Sequence, residues 1–211
     1  MAMATLDMYF SPGACSLVSL IALEEVGAVY VPHPVLLSRG EHKKPDYQAM
    51  NPKGKVPLLV VDGEAVTESV AILTLLSKLY PQARLLPVHS PMAEAQALSM
   101  LAWCASGLHP YVTRLCMPQF ICDEASSAPR IQAMAAEILA KSLGLLDQKL
   151  QGQDWFLKDW SAADAYVFWV WRRIQAAPID TSPFQNLASH YQRMQLRPSV
   201  QRALATDKLP T

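Results

Sequence analysis

The first part of the chain alternates between strand-like and helix-like spacings of apolar residues. The predicted elements are, in order, a strand over Leu6–Phe10, a helix over 16–26, a strand over 29–37, an irregular stretch over 38–48, a hairpin over 56–67 and a helix from 68 or 69 to about 80. Gly27 ends the first helix, and Asp62-Gly63 suits the left-handed turn of a hairpin. Because strands and helices alternate, we expect a mixed sheet with a parallel part and helices on its faces.

After the proline-bearing segment 86–91 the strand patterns stop, and apolar residues recur at helical spacing. The predicted helices cover residues 92–116, 130–150, 162–174, 184–196 and 198–205. Gly107 and Pro110 are expected to bend the first of these helices. Ser161-Ala-Ala-Asp164 predicts a capped start for the third. The patterns therefore divide the chain into an α/β domain over 1–85, a linker over 86–91 and an all-helical domain over 92–211.

Composition narrows the class of protein. The chain has 211 residues, of which 51% are hydrophobic and 17% are charged, so it can bury a substantial core. Its 18 basic residues balance 18 acidic ones, which leaves no net field to attract nucleic acid or an anionic membrane. No apolar run approaches the roughly 20 residues of a membrane span, and the start lacks the pattern of an export signal. We therefore expect a cytoplasmic protein with no nucleic-acid or membrane partner.

The cysteines are residues 15, 104, 116 and 122, and their spacing fits neither a zinc site nor a disulfide scaffold. Cys15 differs from the others because it lies in Ser-Pro-Gly-Ala-Cys-Ser, between the first predicted strand and the first predicted helix. The N–H groups and the dipole of a helix N-terminus favour a thiolate there. The position predicts a reactive thiol or, as for most single cysteines, a small buried apolar side chain.

Two further motifs of the first domain suit an extended peptide. In Asn51-Pro-Lys-Gly-Lys-Val-Pro57, a cis bond before the last proline would turn the backbone of Val56 outward to pair with an added strand. The alternative is an ordinary trans proline that opens a strand. In Thr67-Glu68-Ser69, the serine suits a carboxylate and the glutamate an ammonium group, while simple capping of the helix is the alternative.

In combination these features resemble the glutathione transferases. The resemblance rests on Cys15-Ser16 at the first helix start, on Val56-Pro57, on Glu68-Ser69 eleven residues after that proline, and on the helical second half. The stretch Ser-Pro-Gly-Ala-Cys-Ser is most similar to the bacterial beta class. The resemblance implies a thioredoxin-like N-terminal domain, an all-α C-terminal domain, a homodimer, and glutathione as co-substrate without a metal. It also implies a role in detoxification, with a small hydrophobic electrophile held by the helical domain.

The resemblance also assigns roles to residues. It implies that Cys15 and Ser16 face the glutathione sulfur, that Val56 beside a cis Pro57 pairs with the cysteinyl backbone, and that Glu68 and Ser69 hold the γ-glutamyl end. It also implies that His109 lies beside the thiol, and helical spacing places Ser106 near the same face one turn earlier. The match is gapped before Asn51, where Arg39 is the candidate for contact with the glycyl carboxylate. Tyr9 has two interpretations. It aligns with a tyrosine that donates to the thiolate in other classes, while a strand tyrosine more often packs in the core.

Ala102 and Pro110 depart from the family pattern, which often has an asparagine and a basic residue at these positions. Both changes remove polar contacts. Three functions are therefore compared: conjugation of glutathione to an electrophile, monothiol disulfide reduction through Cys15, and a catalytically silent dimeric binding protein. The pattern as a whole favours conjugation.

Overall fold

The structure, a computed structural model, describes residues 4–87 and 90–208. By their contacts these residues form two compact units. The first unit contains the described part of residues 1–86 together with that of residues 196–211, and the second contains the described part of residues 87–195. The end of the chain thus groups with the first unit, whereas the sequence prediction placed it in one helical domain over 92–211.

The first unit is built on a mixed sheet. Its described strands are β1 (Leu6–Phe10), β2 (Val31–Pro34), β3 (Leu58–Val61) and β4 (Glu64–Thr67), in the order β2-β1-β3-β4. Strand β1 is parallel to β2 and antiparallel to β3, which forms the predicted hairpin with β4. Asp62 and Gly63 at its turn have φ values of 49° and 87°, as such a turn requires. The predicted mixed sheet is confirmed.

The described helices, in chain order, are α1 (Ser16–Glu25), α2 (Pro45–Met50), α3 (Ser69–Leu79), α4 (Pro91–Trp103), α5 (His109–Cys116), α6 (Ala128–Lys149), α7 (Ala162–Ile174), α8 (Gln185–Gln195) and α9 (Pro198–Thr206). Helix α1 packs against β1, α3 and α9. Each of its residues from Ser16 to Leu23 is buried. This dense packing gives a firm base to the loop that precedes α1.

Two segments of the first unit differ from their predictions. The second strand covers Val31–Pro34 rather than residues 29–37. It lies at the edge of the sheet, where Pro32 and Pro34 are tolerated although they have no N–H to donate. The irregular stretch contains two short 3₁₀ turns, Leu37–Arg39 and Glu41–Lys43, before α2 begins.

In the second unit the predicted helix over 92–116 is interrupted. Helix α4 ends at Trp103, Cys104–Leu108 form a π-helical turn, and α5 begins at His109. Pro110 has no N–H for the carbonyl four residues earlier, so the α-helical hydrogen-bond ladder cannot run through this point. A wider turn of this type is frequent at functional sites. Here it directly precedes His109.

We expect Gly107→Ala to destabilise the second unit by about 1–3 kcal/mol, because overpacking forces neighbouring groups to move. An added Cβ would lie 2.5 Å from Trp103 Cδ1. Gly144→Ala in α6 is the matched control, since there the nearest atom, Phe184 Cε1, lies 4.0 Å away. Alanine in that helix should stabilise by about 1 kcal/mol. Thermal unfolding measures both changes, and equal stability of the two variants would show that Trp103 moves aside without cost.

Helix α7 is the buried centre of the second unit, as predicted. All of its residues from Ala162 to Trp171 are buried. Its start is a capping box in which the Ser161 side chain bonds the backbone of Asp164, and the Asp164 carboxylate accepts the Ser161 N–H at 2.8 Å. The predicted cap is confirmed.

Candidate active site

Cys15 lies at the end of the loop that joins β1 to α1. Its side chain is buried, with 8% exposed, and its Sγ donates to the carbonyl oxygen of Val56 at 3.6 Å. Ser16 is fully buried. Its Oγ donates to the Ser11 carbonyl at 3.2 Å and accepts the Ser11 N–H at 3.1 Å. The structure thus brings Cys15 and Val56 together, and it uses the Ser16 hydroxyl to close the loop.

Burial raises the pKa of the Cys15 thiol to about 12. Hydrogen bonding by the backbone N–H groups of Cys15 and Ser16 opposes this rise, as the sequence predicted, but the loss of water outweighs it. The charge of Glu68 raises the pKa further, and that of Lys55 lowers it. Of the two interpretations that the sequence leaves open for Cys15, the structure favours the small buried side chain over the ionised thiol. Because the thiol is removed from water, Cys15 is a neutral S–H donor at neutral pH.

The backbone at Val56 is held by its own loop. The bond between Val56 and Pro57 is cis, as predicted. The carbonyl of Lys55 accepts hydrogen bonds from the Tyr47 hydroxyl at 2.7 Å and from the Asn51 amide at 2.6 Å. Val56 packs in a buried cluster with Val35, Tyr47 and Leu58. These contacts fix the position of the carbonyl that faces Cys15.

Glu68 and Ser69 lie where β4 meets α3. Glu68 has φ 74°, a left-handed conformation that is strained for a residue with a side chain. Its carboxylate accepts a hydrogen bond from Lys53 Nζ at 2.6 Å, and the same ammonium group donates to Thr67 Oγ1 at 3.0 Å. Ser69 is the first residue of α3 and is buried. Strain of this type clusters at ligand sites, so Glu68 is a strong candidate for a binding residue.

The sequence interpretation gave no role to Lys53. The residue stands inside the motif from Asn51 to Pro57, but its partner is fifteen positions away. The only signal in the sequence is the opposite charge of Lys53 and Glu68. The hairpin β3–β4 brings the two together.

Tyr9 packs against other rings of the first unit, whereas Arg39 is exposed. The Tyr9 ring stacks on His33 with centroids 4.6 Å apart and meets Tyr47 edge-on at 6.1 Å. It also packs on the buried cluster around Val56. These contacts favour the packing interpretation of Tyr9. Arg39 is exposed at the last position of a 3₁₀ turn.

His109 and Ser106 belong to the second unit. His109 Nδ1 lies 3.1 Å from the Tyr166 hydroxyl, and its ring meets Trp169 edge-on with centroids 4.5 Å apart. Ser106 is exposed, and its Oγ donates to the carbonyl of Ala102 at 2.8 Å. Both side chains are thus engaged within their own unit. Their predicted roles beside the thiol remain predictions.

Over residues 4–87 and 90–208, no group of three or more His, Cys, Asp or Glu side chains is placed to hold a metal ion. Within the same residues, no helix is long and apolar enough to cross a membrane.

Comparisons with known proteins bear on the same regions. A family model described as glutathione S-transferase, N-terminal domain, matches residues 13–79. A glutathione S-transferase of Escherichia coli O157:H7 is 33% identical over 207 residues, which covers 97% of this chain and 100% of that protein. The match thus spans both units.

Two solved structures are similar over the same span. A bacterial beta class glutathione S-transferase from Sphingomonas chungbukensis is 32% identical with a TM-score of 0.85, covering 97% of this chain and 100% of that one. A sphingomonad glutathione S-transferase complexed with glutathione is 33% identical with a TM-score of 0.84, again covering 97% and 100%.

Proposed function

This chain belongs to the glutathione S-transferase family and is a glutathione transferase, and we propose that it transfers the thiolate of reduced glutathione to a small apolar electrophile. The observation that supports the proposal most strongly is the contact of 3.6 Å between Cys15 Sγ and the Val56 oxygen. It joins the loop predicted to hold the sulfur to the backbone predicted to hold the cysteinyl residue. The similar sphingomonad enzyme was solved with glutathione bound.

The tripeptide would bind along the edge formed by Val56 and the start of α3. We assign the backbone of Val56 to the cysteinyl residue, which would pair with it as a short added strand. Glu68 would accept from the γ-glutamyl ammonium group, and the N–H and hydroxyl of Ser69 would bind the γ-glutamyl carboxylate. Lys53 supports this arrangement because it already orients the Glu68 carboxylate in the structure. Arg39, which is exposed, would pair with the glycyl carboxylate.

The chemistry needs a glutathione thiolate, which attacks an electrophilic carbon and forms the new carbon–sulfur bond. In a substitution the leaving group departs with its bonding electron pair, and in an addition a carbon–carbon π bond opens and the resulting carbanion takes a proton from solvent. The glutathione thiol gives its proton to solvent, and the protein stabilises the anion that remains. Cys15 contributes as a neutral S–H donor when its hydrogen turns from the Val56 carbonyl, which the cysteinyl N–H of the tripeptide then occupies, to the glutathione sulfur. The first N–H groups of α1 contribute their partial positive charge. Lowering the thiol pKa of bound glutathione by two units requires about 2.7 kcal/mol of such stabilisation. Ser16 serves this arrangement by holding the loop closed.

The raised pKa of Cys15 opposes the alternative of monothiol disulfide reduction. That reaction needs a thiolate as nucleophile. Burial raises the pKa of Cys15 to about 12, so the neutral thiol predominates at neutral pH. The alternative of a silent binding protein receives no support from the relatives, which are described as transferases. Conjugation is therefore the function that the site supports best.

Substitution of Cys15 separates a donor from a nucleophile. Cys15→Ser keeps a hydrogen-bond donor, so we expect its conjugation rate to stay within about threefold of the wild type, whereas Cys15→Ala should lose about tenfold. The rate is measured with glutathione and a small aromatic electrophile at pH 7, and thermal unfolding checks the fold. An alanine variant as fast as the wild type would remove Cys15 from the mechanism. Complete loss in the serine variant would instead indicate a nucleophilic thiol.

The oligomeric state and the cellular location of the protein are further parts of the proposal. We propose a homodimer, with His109 and Ser106 acting on the sulfur side of the site, because the family resemblance implies both. We also propose that the enzyme works in the cytoplasm on electrophiles to be detoxified. All four cysteines are free thiols, which fits a reducing compartment.

A further inference from the structure

A carboxylate from the end of the chain contacts the loop that carries Cys15. The N–H of Gly13 lies 3.1 Å from Oδ1 and 3.1 Å from Oδ2 of Asp207. Both residues belong to the first unit, although they are 194 positions apart. Gly13 has φ 74°, a conformation that glycine adopts without strain, and this backbone geometry sets the direction of its N–H. Cys15 follows two residues later.

Stability of α9 does not explain this carboxylate. Asp207 is the C-cap residue of α9, and the negative end of a helix dipole disfavours an acidic side chain. It is also buried, with 7% exposed, and a buried carboxylate is costly unless hydrogen bonds satisfy it. Its contact with the Gly13 N–H supplies such a hydrogen bond and joins the end of α9 to the loop before Cys15.

The helix that ends at Asp207 is anchored to α1. The backbone N–H of Asp207 donates to the carbonyl of Ala203 at 2.8 Å. Earlier in the same segment, Arg197 and Ser199 both donate to the Glu25 carboxylate at the end of α1. The carboxylate of Asp207 thus projects from a segment that hydrogen bonds join to α1.

The loop is consequently held at two points on either side of Cys15. On one side the Ser16 hydroxyl bonds both backbone groups of Ser11. On the other side Asp207 holds Gly13. The residue that donates to the sulfur lies between these two points, so its position depends on both.

We propose that Asp207 is a positioning residue for the sulfur site, acting through Gly13 on the donors that face the glutathione thiolate. The inference rests on the proposed function, because it concerns the same thiolate. Loss of Asp207 should leave the contacts of the tripeptide at Val56, Glu68 and Ser69 in place. It should weaken the stabilisation of the anion.

The test compares Asp207→Ala, Asp207→Asn and the control Arg202→Gln in the full chain. Arg202 also ties α9 to α1, and its side chain donates to the carboxylate and the carbonyl of Glu24 rather than to the loop before Cys15. For Asp207→Ala we expect kcat below neutral pH to fall about tenfold and the midpoint of the kcat profile to rise by about one pH unit. The KM for glutathione should stay within about threefold. Asp207→Asn keeps one acceptor, so the midpoint of its kcat profile should lie between those of the wild type and of Asp207→Ala. Arg202→Gln should lower the Tm without moving the midpoint.

The outcomes separate the two proposals. A wild-type protein without glutathione-dependent conjugation would refute the proposed function and this inference with it. An active wild type with an unshifted midpoint in a folded Asp207→Ala variant would refute only the role of Asp207. If Asp207→Ala fails to fold, the asparagine variant decides, and an unshifted midpoint there overturns the inference.

Discussion

Replacing Glu68 with glutamine is expected to weaken the binding of glutathione by about ten- to hundredfold. The glutamine keeps the size of the side chain and its acceptor for Lys53, but it loses the charge that pairs with the γ-glutamyl ammonium group. A charge-assisted hydrogen bond is worth about 1.5–3 kcal/mol, which corresponds to that loss. Calorimetric titration with glutathione measures the Kd directly. The KM for glutathione should rise by a similar factor, while kcat at saturation changes little.

Glu64→Gln is the matched control for this variant. Glu64 is an exposed residue at the start of β4, on the same hairpin, and the substitution removes the same charge. We expect its Kd for glutathione to equal that of the wild type. If both variants bound glutathione as tightly as the wild type, Glu68 would have no contact with the tripeptide. An equal loss in both would indicate a general effect of charge.

Replacing Asp164 with alanine is expected to cost about 3–5 kcal/mol of unfolding free energy, because several buried hydrogen-bond donors lose their acceptor at the same time. Oδ1 of Asp164 accepts from the Phe156 N–H at 3.1 Å and lies 3.0 Å from His190 Nε2. Oδ2 accepts from the N–H of Ser161 at 2.8 Å and from its hydroxyl at 3.1 Å. Chemical denaturation measures the change, and the Tm should fall by about 10 °C or more.

Asp159→Ala is the control, since it removes an exposed carboxylate just before the same helix. A change at such a surface position should stay within about 0.5 kcal/mol. If Asp164→Ala were equally mild, the network around the start of α7 would contribute little to the stability of the second unit.

The features that the sequence predicts correctly are those fixed by a few neighbouring residues. Asp62-Gly63 places the hairpin turn because both positions need a left-handed backbone. Ser161 and Asp164 mark the start of α7 because a capping box uses residues three positions apart. The cis bond before Pro57 also follows from a short motif, once the family resemblance is added.

The features that the sequence leaves open or misses depend on tertiary packing. The helix start at Cys15 suggested a thiolate, but the burial of the thiol against the segment of Val56 decides its pKa, and burial cannot be read from residues 11–16. Lys53 and Asp207 were missed for a related reason. Their partners lie fifteen and 194 positions away in the sequence. The β3–β4 hairpin brings Lys53 to Glu68, and the packing of α9 against α1 brings Asp207 to Gly13.

A crystal structure of the protein with bound glutathione tests the central claim most directly. We predict that the tripeptide lies on the first unit, with its sulfur within hydrogen-bond distance of Cys15 Sγ. Its cysteinyl backbone should pair with Val56, and its γ-glutamyl end should contact Glu68 and Ser69. Tripeptide bound with its sulfur away from Cys15, or no tripeptide on this unit at saturating concentration, would contradict the account.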